Sequence, residues 1–469
     1  MQTMASQQNR QTQVVIIGAG LTGLSTAFFL KQKNLEVVVL EEKDRTGGQV
    51  QSFSERGFVF ESGPNTGVLS YPEVVEMFQV LGDVELTTAR EEAKKRLIWK
   101  GNRFHALPAS LPSAVLTPLF TWKDKFRILG EPFRSKGNNP DETVAQLAAR
   151  RLGRSFVDYA VDPFLSGVYA GNPNTLVTRY ALPKLYNLEQ NYGSFIKGSI
   201  AKAKEPKTER DRLATRKVFS AQGGLSALVK ALTNHINGKD SQQNIITGAK
   251  EIRIKPGTDG LETTRWRTEF IHNGELCTLQ SKYVITTVGS YSLPDMLPFI
   301  ETEQLNRVNN LFYAPIVQAA VGYSEEALPH FQAFGGLVPS CEQQDILGIL
   351  NPSACFGNRA PQGGSTLAVF MGGVRHPDYV QRSDRELEEM VLRNMHRMLG
   401  IRKDPQLLRL FKHAQAIPQY ETNSGERFAA IEQIERQYPG LYLKGNLCGG
   451  IGMADRIHQA YLTAQAINV

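Results

Sequence analysis

Three glycines and one carboxylate carry the first recognisable chemistry in this chain. Gly18, Gly20 and Gly23, with Leu21 and Thr22 between the last two, read G-x-G-x-x-G. Glu41 follows about 20 residues after the first glycine, where a carboxylate can accept from ribose hydroxyls. The spacing suits a pyrophosphate. Gly18 permits a tight turn, Gly20 lets the backbone approach the phosphates, and Gly23 lets a helix pack close to a strand. A helix opening at this point offers unpaired N–H groups and partial positive charge to the anion. The elements that must hold these groups are also legible. Val14-Val15-Ile16-Ile17 is an apolar β-branched strand, residues 24–33 are helical, and Val37-Val38-Val39-Leu40 is a second strand ending on Glu41. Strand, glycine turn, helix, strand and terminal acid in register predict a dinucleotide-binding unit.

After Glu41 come Glu42, Arg45, Gly47, Gly48 and Gln49 in the pattern acid-x-x-x-R-x-G-G. This resembles the second signature of the amine oxidase-like flavoproteins, an extension that plain nicotinamide dehydrogenases lack. The resemblance implies FAD, with Arg45 and the Gly47-Gly48 backbone along its pyrophosphate and ribityl chain. Gln49 departs from the family, since many relatives carry Arg or Lys there. Phe58–Glu61 alternates like a strand and runs into Ser62-Gly63-Pro64-Asn65, similar to a turn that relatives place near the flavin. Ala249-x-x-Ile252 is similar to a V-x-x-I pattern whose backbone meets adenine. The strand from Tyr283 to Val288 carries Thr287. A last piece, Gly449-Gly450-Ile451-Gly452-Met453-Ala454-Asp455, reads as a glycine loop opening a helix. A helix N-terminus near Met453 would aim N–H groups at the flavin pyrimidine ring and favour its negatively charged reduced state. On the plainer reading, Asp455 caps that helix.

Composition narrows the classes. The chain has 469 residues, 41% hydrophobic and 21% charged, which suits a globular protein of two or more units. Net charge is +7, and much of the excess lies in Lys202 to Lys217, where acids are mixed in. That stretch reads as a solvated loop, and no nucleic-acid motif accompanies it. Cys277, Cys341, Cys355 and Cys448 form no C-x-x-C and suggest no disulfide framework, which fits a reducing cytosol. The eight histidines show no metal-binding spacing. Residues 1–13 are polar and lack the apolar core of a secretion signal. No apolar run reaches the ~20 residues needed to cross a bilayer.

A longer resemblance lies in the middle of the chain. Leu165-Ser166-Gly167-Val168-Tyr169-Ala170-Gly171-Asn172-Pro173 and Pro183-Lys184-Leu185-Tyr186-Asn187-Leu188-Glu189-Gln190-Asn191-Tyr192-Gly193-Ser194 are similar to blocks of the protoporphyrinogen oxidases of the FAD, oxygen-dependent type. So are Leu337-Val338-Pro339-Ser340, Phe356-Gly357-Asn358-Arg359-Ala360-Pro361, Phe370-Met371-Gly372-Gly373 and Ala416-Ile417-Pro418-Gln419-Tyr420. The resemblance implies oxidation of protoporphyrinogen IX to protoporphyrin IX in haem synthesis. Hydride would leave a meso carbon for the flavin N5 over three two-electron cycles, with O2 giving H2O2, so no catalytic side chain is assigned. It further implies that Arg96 pairs a propionate, that Leu337, Leu350 and Phe370 sandwich the macrocycle, and that Gly171 lines the cavity. Coproporphyrinogen III oxidation is the rival on the same scaffold, and a flavin-bearing tetrapyrrole-binding protein without turnover is another.

The expected fold is therefore α/β. A Rossmann-like FAD-binding domain of the amine oxidase/p-hydroxybenzoate hydroxylase type (12–90, 216–290 and 420–469) interleaves with a substrate-binding domain (91–215 and 291–419) holding a mixed sheet. Residues 107–200 form a helical insertion in the second domain. Between Leu107 and Phe133, apolar residues and Trp122 mix with Lys123, Lys125 and Arg127, a pattern suited to a membrane interface. The expected setting is the cytoplasm with peripheral attachment to the inner face of the cell membrane. By pathway, a ferrochelatase is the expected recipient of the product. Monomer and homodimer are both left open.

Overall fold

The computed structural model describes residues 9–238, 243–258, 260–324 and 331–467. The polar residues 1–8 thus lie outside the described residues. The architecture is α/β, as the sequence patterns predict, and is organised on two large sheets.

The first sheet has a parallel centre. Asn9–Ile17 runs between Val37–Leu40 and Glu275–Thr286, parallel to both, and Ile245–Ile246 extends the edge beyond Val37–Leu40. Val14 to Ile17 are at most 1% exposed, as expected of a parallel strand covered on both faces. The far edge of Glu275–Thr286 is shared. Its first half pairs antiparallel with Trp266–His272, and its last three residues pair parallel with Leu441–Leu443. This split brings the C-terminal part of the chain beside the N-terminal glycine turn.

The second sheet runs in the order Leu407–Pro418, Tyr313–Tyr323, Ser365–Gly372, Ile346–Leu350, Gly335–Leu337, Arg96–Lys100, Arg103–Ala106. Its two faces differ. Trp99, Val317, Ala319, Val321, Ile349, Val369 and Met371 pack against helix Asp384–Leu399, whose Leu387, Met390, Val391, Met395 and Met398 are buried on them. A capping box between Ser383 and Glu386 starts that helix and Gly400 in the left-handed region ends it. On the other face, Ala320 and Leu407 pack on Phe58 and Phe60 of a two-stranded sheet formed by Ser52–Glu55 and Phe58–Glu61.

The helical insertion follows Arg103–Ala106. An ionic cluster ties it together. Arg151, Glu131 and Glu189 are fully buried, with Arg151 at 2.9 Å from Glu131 and 2.7 Å from Glu189. Ser194 donates to Glu131 at 2.5 Å. The basic stretch 202–217 is exposed but is not simply a loop. It includes the end of helix Phe195–Lys204 and a short turn Glu209–Arg212, from which Arg210 bonds Glu73 and Glu76.

Candidate functional site

The C-terminal ends of Asn9–Ile17, Val37–Leu40, Glu275–Thr286 and Leu441–Leu443 lie along one edge of the first sheet. Open α/β sheets bind ligands at such an edge, and expected flavin-binding residues leave from each strand. Gly18 has φ +99°, and a Cβ on Gly23 would stand 1.9 Å from the Gly18 carbonyl oxygen. A Cβ on Gly20 would meet nothing within 4 Å, so the turn is open on that side. Leu21 and Thr22 are buried in the first turn of helix Leu21–Gln32, which starts three residues earlier than the sequence suggested because Gly23 packs inside it. Glu41 is buried beside the turn and accepts from the amides of Ala19 at 2.7 Å and Lys43 at 3.0 Å. The Thr287 hydroxyl lies 3.0 Å from the Ile17 carbonyl and 3.1 Å from that of Gly18.

The second signature folds onto the first. The Gly47 amide donates to Ala19 O at 2.8 Å, Gly20 and Gly47 form a parallel bridge, and a Cβ on Gly48 would stand 3.1 Å from the Gly20 Cα. Arg45 is half-buried, with a 3.4 Å bond to Thr46 O, while Glu42 and Gln49 are exposed. The Gly63-Pro64-Asn65 turn closes with Asn65 donating to Gly63 O at 3.0 Å, and a Cβ on Gly63 would stand 2.2 Å from Gln49 O. Ala249 is fully buried and its amide donates to Glu41 O at 2.9 Å. Gly450 has φ +98°, Gly452 precedes helix Met453–Ala466, and Met453 is its first residue. Asp455 does cap that helix, accepting from the Gly452 amide at 3.0 Å. Capping and an amide-lined N-terminus coexist there.

The expected substrate residues on the second sheet share one face. Arg96, Gly335, Leu350 and Ala368 are cross-strand neighbours, and so are Ile98, Leu337, Gly348 and Phe370 in the next row. Leu337, Leu350 and Phe370 are each only half-buried. The first row continues to Ala320 and Arg409, and the second to Gln318 and Phe411. Arg409 is bonded to Glu55 at 2.5 and 3.0 Å. Arg96 is exposed, has its guanidinium 5.9 Å from the Phe334 ring, and has no carboxylate partner among the described residues. Gly171 follows helix Asp162–Tyr169, and its neighbour Ala170 packs in one cluster with Phe370. A Cβ on Gly171 would stand 2.6 Å from the Gln419 amide oxygen and 2.8 Å from Leu176.

Residues that sequence reasoning left without a role join strand Phe58–Glu61 to the second sheet. Glu61 is 2% exposed and pairs with Arg359 at 2.9 Å, and accepts from Ser52 at 2.5 Å and the Leu225 amide at 3.1 Å. Burial pushes its carboxyl up, while Ser52, Arg359 and Leu225 pull it down. Gln318 donates to Glu61 O at 2.6 Å and the His413 ring bonds Ser62 O at 2.6 Å. The segment before the Gly63-Pro64-Asn65 turn is thus pinned to the second sheet. Arg359 stands in the block Phe356–Pro361, and nothing in its neighbours hinted at a buried partner.

In the insertion, the apolar residues divide. Leu119 and Phe120 are buried, while Leu116, Trp122, Phe126, Leu129 and Phe133 are 60–87% exposed. Lys125 bonds the carbonyls of Val115 and Thr117, and Lys123 is exposed. Among the described residues, no helix is long and apolar enough to cross a membrane.

Comparison with known proteins bears on this arrangement. A family model described as flavin containing amine oxidoreductase matches residues 21–468. The chain is 28% identical over 472 residues to protoporphyrinogen oxidase 2, chloroplastic/mitochondrial, of Arabidopsis thaliana, covering 95% of this chain and 91% of that one. It is 24% identical over 463 residues to coproporphyrinogen III oxidase of Bacillus subtilis (strain 168), covering 95% and 96%. A solved structure from Exiguobacterium sp. 255-15 matches with a TM-score of 0.78 at 21% identity, covering 97% and 98% of the two chains.

Proposed function

Since the chain belongs to the flavin containing amine oxidoreductases and is an FAD-dependent oxidoreductase, we propose that it oxidises protoporphyrinogen IX to protoporphyrin IX. The observation that carries this reading is the Arg96 guanidinium, which has no carboxylate partner among the described residues and shares a sheet face with the half-buried Leu337, Leu350 and Phe370. A porphyrinogen is a broad apolar ring with propionates along one edge. A guanidinium binds such a carboxylate through two parallel hydrogen bonds. Leu337, Leu350 and Phe370 cover the ring and keep water from it, and Arg96 sets its orientation. When bound, FAD takes two electrons per cycle and passes them to O2, so three cycles complete the six-electron oxidation. The proposed FAD site is the edge formed by Gly18, Gly20, Gly23, Glu41, Arg45, Gly47, Gly48 and the Gly450–Met453 loop. The fit rests on the open side of Gly20 and on the amides that the last loop leaves free.

Coproporphyrinogen III is the second reading, and the Bacillus subtilis relative's name favours it. Its additional carboxylates call for more cations, yet Arg409 on the same face is already held by Glu55. Aerobic turnover of both porphyrinogens, followed by porphyrin fluorescence and peroxide, separates the readings. Faster protoporphyrin formation is expected. Preference for coproporphyrinogen would move the assignment, and binding of FAD without turnover of either would leave a carrier.

The exposed row from Leu116 to Phe133 supports peripheral membrane contact for a poorly soluble product. Flotation with anionic vesicles is expected to carry the protein up, and Phe126→Glu with Leu129→Glu to keep it at the bottom. Equal flotation of both forms would remove this face from the membrane.

A further inference from the structure

The loop between Leu441–Leu443 and helix Met453–Ala466 is held in an unusual way. Its carbonyls are caught in succession by side chains. Arg456 takes Gly445 O, and Tyr420 lies 3.0 Å from Asn446 O. Arg427 takes Leu447 O at 3.2 Å. Cys448 O receives both Arg456 at 2.9 Å and Gln459 at 3.0 Å. Gly450 O lies 3.0 Å from the same Tyr420 hydroxyl. Tyr420, Arg427 and Arg456 are 1%, 0% and 7% exposed. Burial pushes the Tyr420 phenol far above its ordinary range, so it stays a donor.

Peptide geometry turns this into a statement about the other side of the loop. In a planar trans peptide the C=O and the following N–H point in opposite directions. Pinning the carbonyls of residues 445 to 448 and 450 therefore directs the amides of Asn446, Leu447, Cys448, Gly449 and Ile451 away from the clamping side chains. None of these amides donates to a group among the described residues. A run of free amides leading into a helix N-terminus is an anion-binding concavity.

We propose that Tyr420, Arg427, Arg456 and Gln459 are positioning residues that fix this amide face towards the pyrimidine edge of FAD and so favour its reduced, negatively charged state. The proposal rests on the reading that FAD lies against this loop. The clamp works by preorganisation. Amides already aimed at the developing charge need no reorganisation when electrons arrive.

The test is the two-electron midpoint potential of the FAD-loaded protein, measured anaerobically against a reference dye. Tyr420→Phe removes the one hydroxyl proton that the Asn446 and Gly450 carbonyls share, without changing the ring's shape. The reduced-to-oxidised ratio at fixed poise is expected to fall about tenfold, a shift of about 30 mV to more negative potential. Gln459→Leu, on the outer side of the clamp, is expected to shift it in the same direction by less, and serves if Tyr420→Phe does not fold. A lowered melting temperature with an unchanged potential in both variants would overturn the proposal, because a merely structural brace acts that way. Hydrogen exchange of the wild type with and without FAD separates this from the underlying reading. Protection of amides 446–451 on loading is expected. Without it the flavin lies elsewhere and both fall, whereas protection with unchanged potentials removes the clamp alone.

Discussion

Two glycine turns lie on the same sheet edge, one near each end of the chain, and they are built by opposite means. The first, Gly18 to Gly23, is held largely by backbone. Gly18 donates to Leu40 O at 2.7 Å, Gly47 to Ala19 O at 2.8 Å, and Leu24 to Gly20 O at 2.9 Å. Most of these partners lie within thirty residues or so of one another in the chain. The last loop, 445 to 450, is held by side chains that arrive from three elements. Tyr420 follows a strand of the second sheet, Arg427 belongs to helix Ser424–Gln437, and Arg456 and Gln459 to the terminal helix. A backbone-held turn leaves its mark in glycine spacing. A side-chain-held loop puts the determining residues elsewhere, and its glycines alone do not tell how it is shaped.

Removing a clamp should have the largest effect. Arg456→Ala leaves the Gly445 and Cys448 carbonyls without the donor they share. An unmade bond at a buried group costs about 1–3 kcal/mol, so a loss of about 3 kcal/mol and release of FAD are expected. Thermal unfolding and the visible flavin spectrum would report both. A stability equal to the wild type would mean that the last loop holds itself, and the contrast between the two turns would disappear.

The first turn should fail differently. In Gly23→Ala the new Cβ lands 1.9 Å from the Gly18 carbonyl oxygen, and no rotamer can move it. Overpacking of this kind costs about 1–3 kcal/mol. In Gly20→Ala the Cβ meets no protein atom within 4 Å. Stability should stay at the wild-type level while FAD affinity falls about tenfold or more, since each factor of ten is about 1.4 kcal/mol of lost approach. Calorimetric stability of the two apo-proteins beside their FAD titrations gives the comparison. If Gly20→Ala binds FAD as the wild type does, the phosphates do not pass over Gly20.

The same contrast explains what the sequence disclosed. The βαβ unit, its acid at Glu41 and the second signature at Arg45 to Gly48 were legible because each depends on local spacing, and the structure brings them into direct contact through Gly20 and Gly47. The shared face of Arg96, Leu337, Leu350 and Phe370 was suggested by resemblance, and the cross-strand register supplies its physical reason. The Glu61–Arg359 pair was not legible. Its partners are separated by nearly three hundred positions, and neither residue type announces burial. The clamp on the last loop was hidden for the same reason: Tyr420 ends the block Ala416–Tyr420, but which carbonyls its hydroxyl reaches depends on tertiary packing.

Thr287 belongs to both regions. Its one hydroxyl proton is shared between Ile17 O at 3.0 Å and Gly18 O at 3.1 Å, and its own carbonyl lies 2.8 Å from where a Cβ on Gly445 would stand. Thr287→Val keeps the shape and removes the donor. A loss of about 1 kcal/mol is expected, with FAD affinity weakened and the last loop undisturbed. Hydrogen exchange should therefore rise around residues 17–19 but not at 445–450. A rise in both places would show that the two turns move as one unit.

The smallest expected effect concerns pH and the helix behind the first turn. The His235 ring packs 5.0 Å from Phe28 on helix Leu21–Gln32 and lies 3.2 Å from Gln32. Burial lowers its pKa from the ordinary 6.5, and nearby Lys31 adds to the shift. A histidine depressed in the folded state binds its proton more readily when unfolded. Its contribution is therefore present above pH 6.5 and is lost as pH falls below that value. The ring is only half-buried, so screening holds the effect below about 1 kcal/mol. His235→Leu should reduce the drop in melting temperature between pH 7.5 and pH 5.5 by a corresponding small amount. An identical pH dependence in the wild type and His235→Leu would remove His235 from that support.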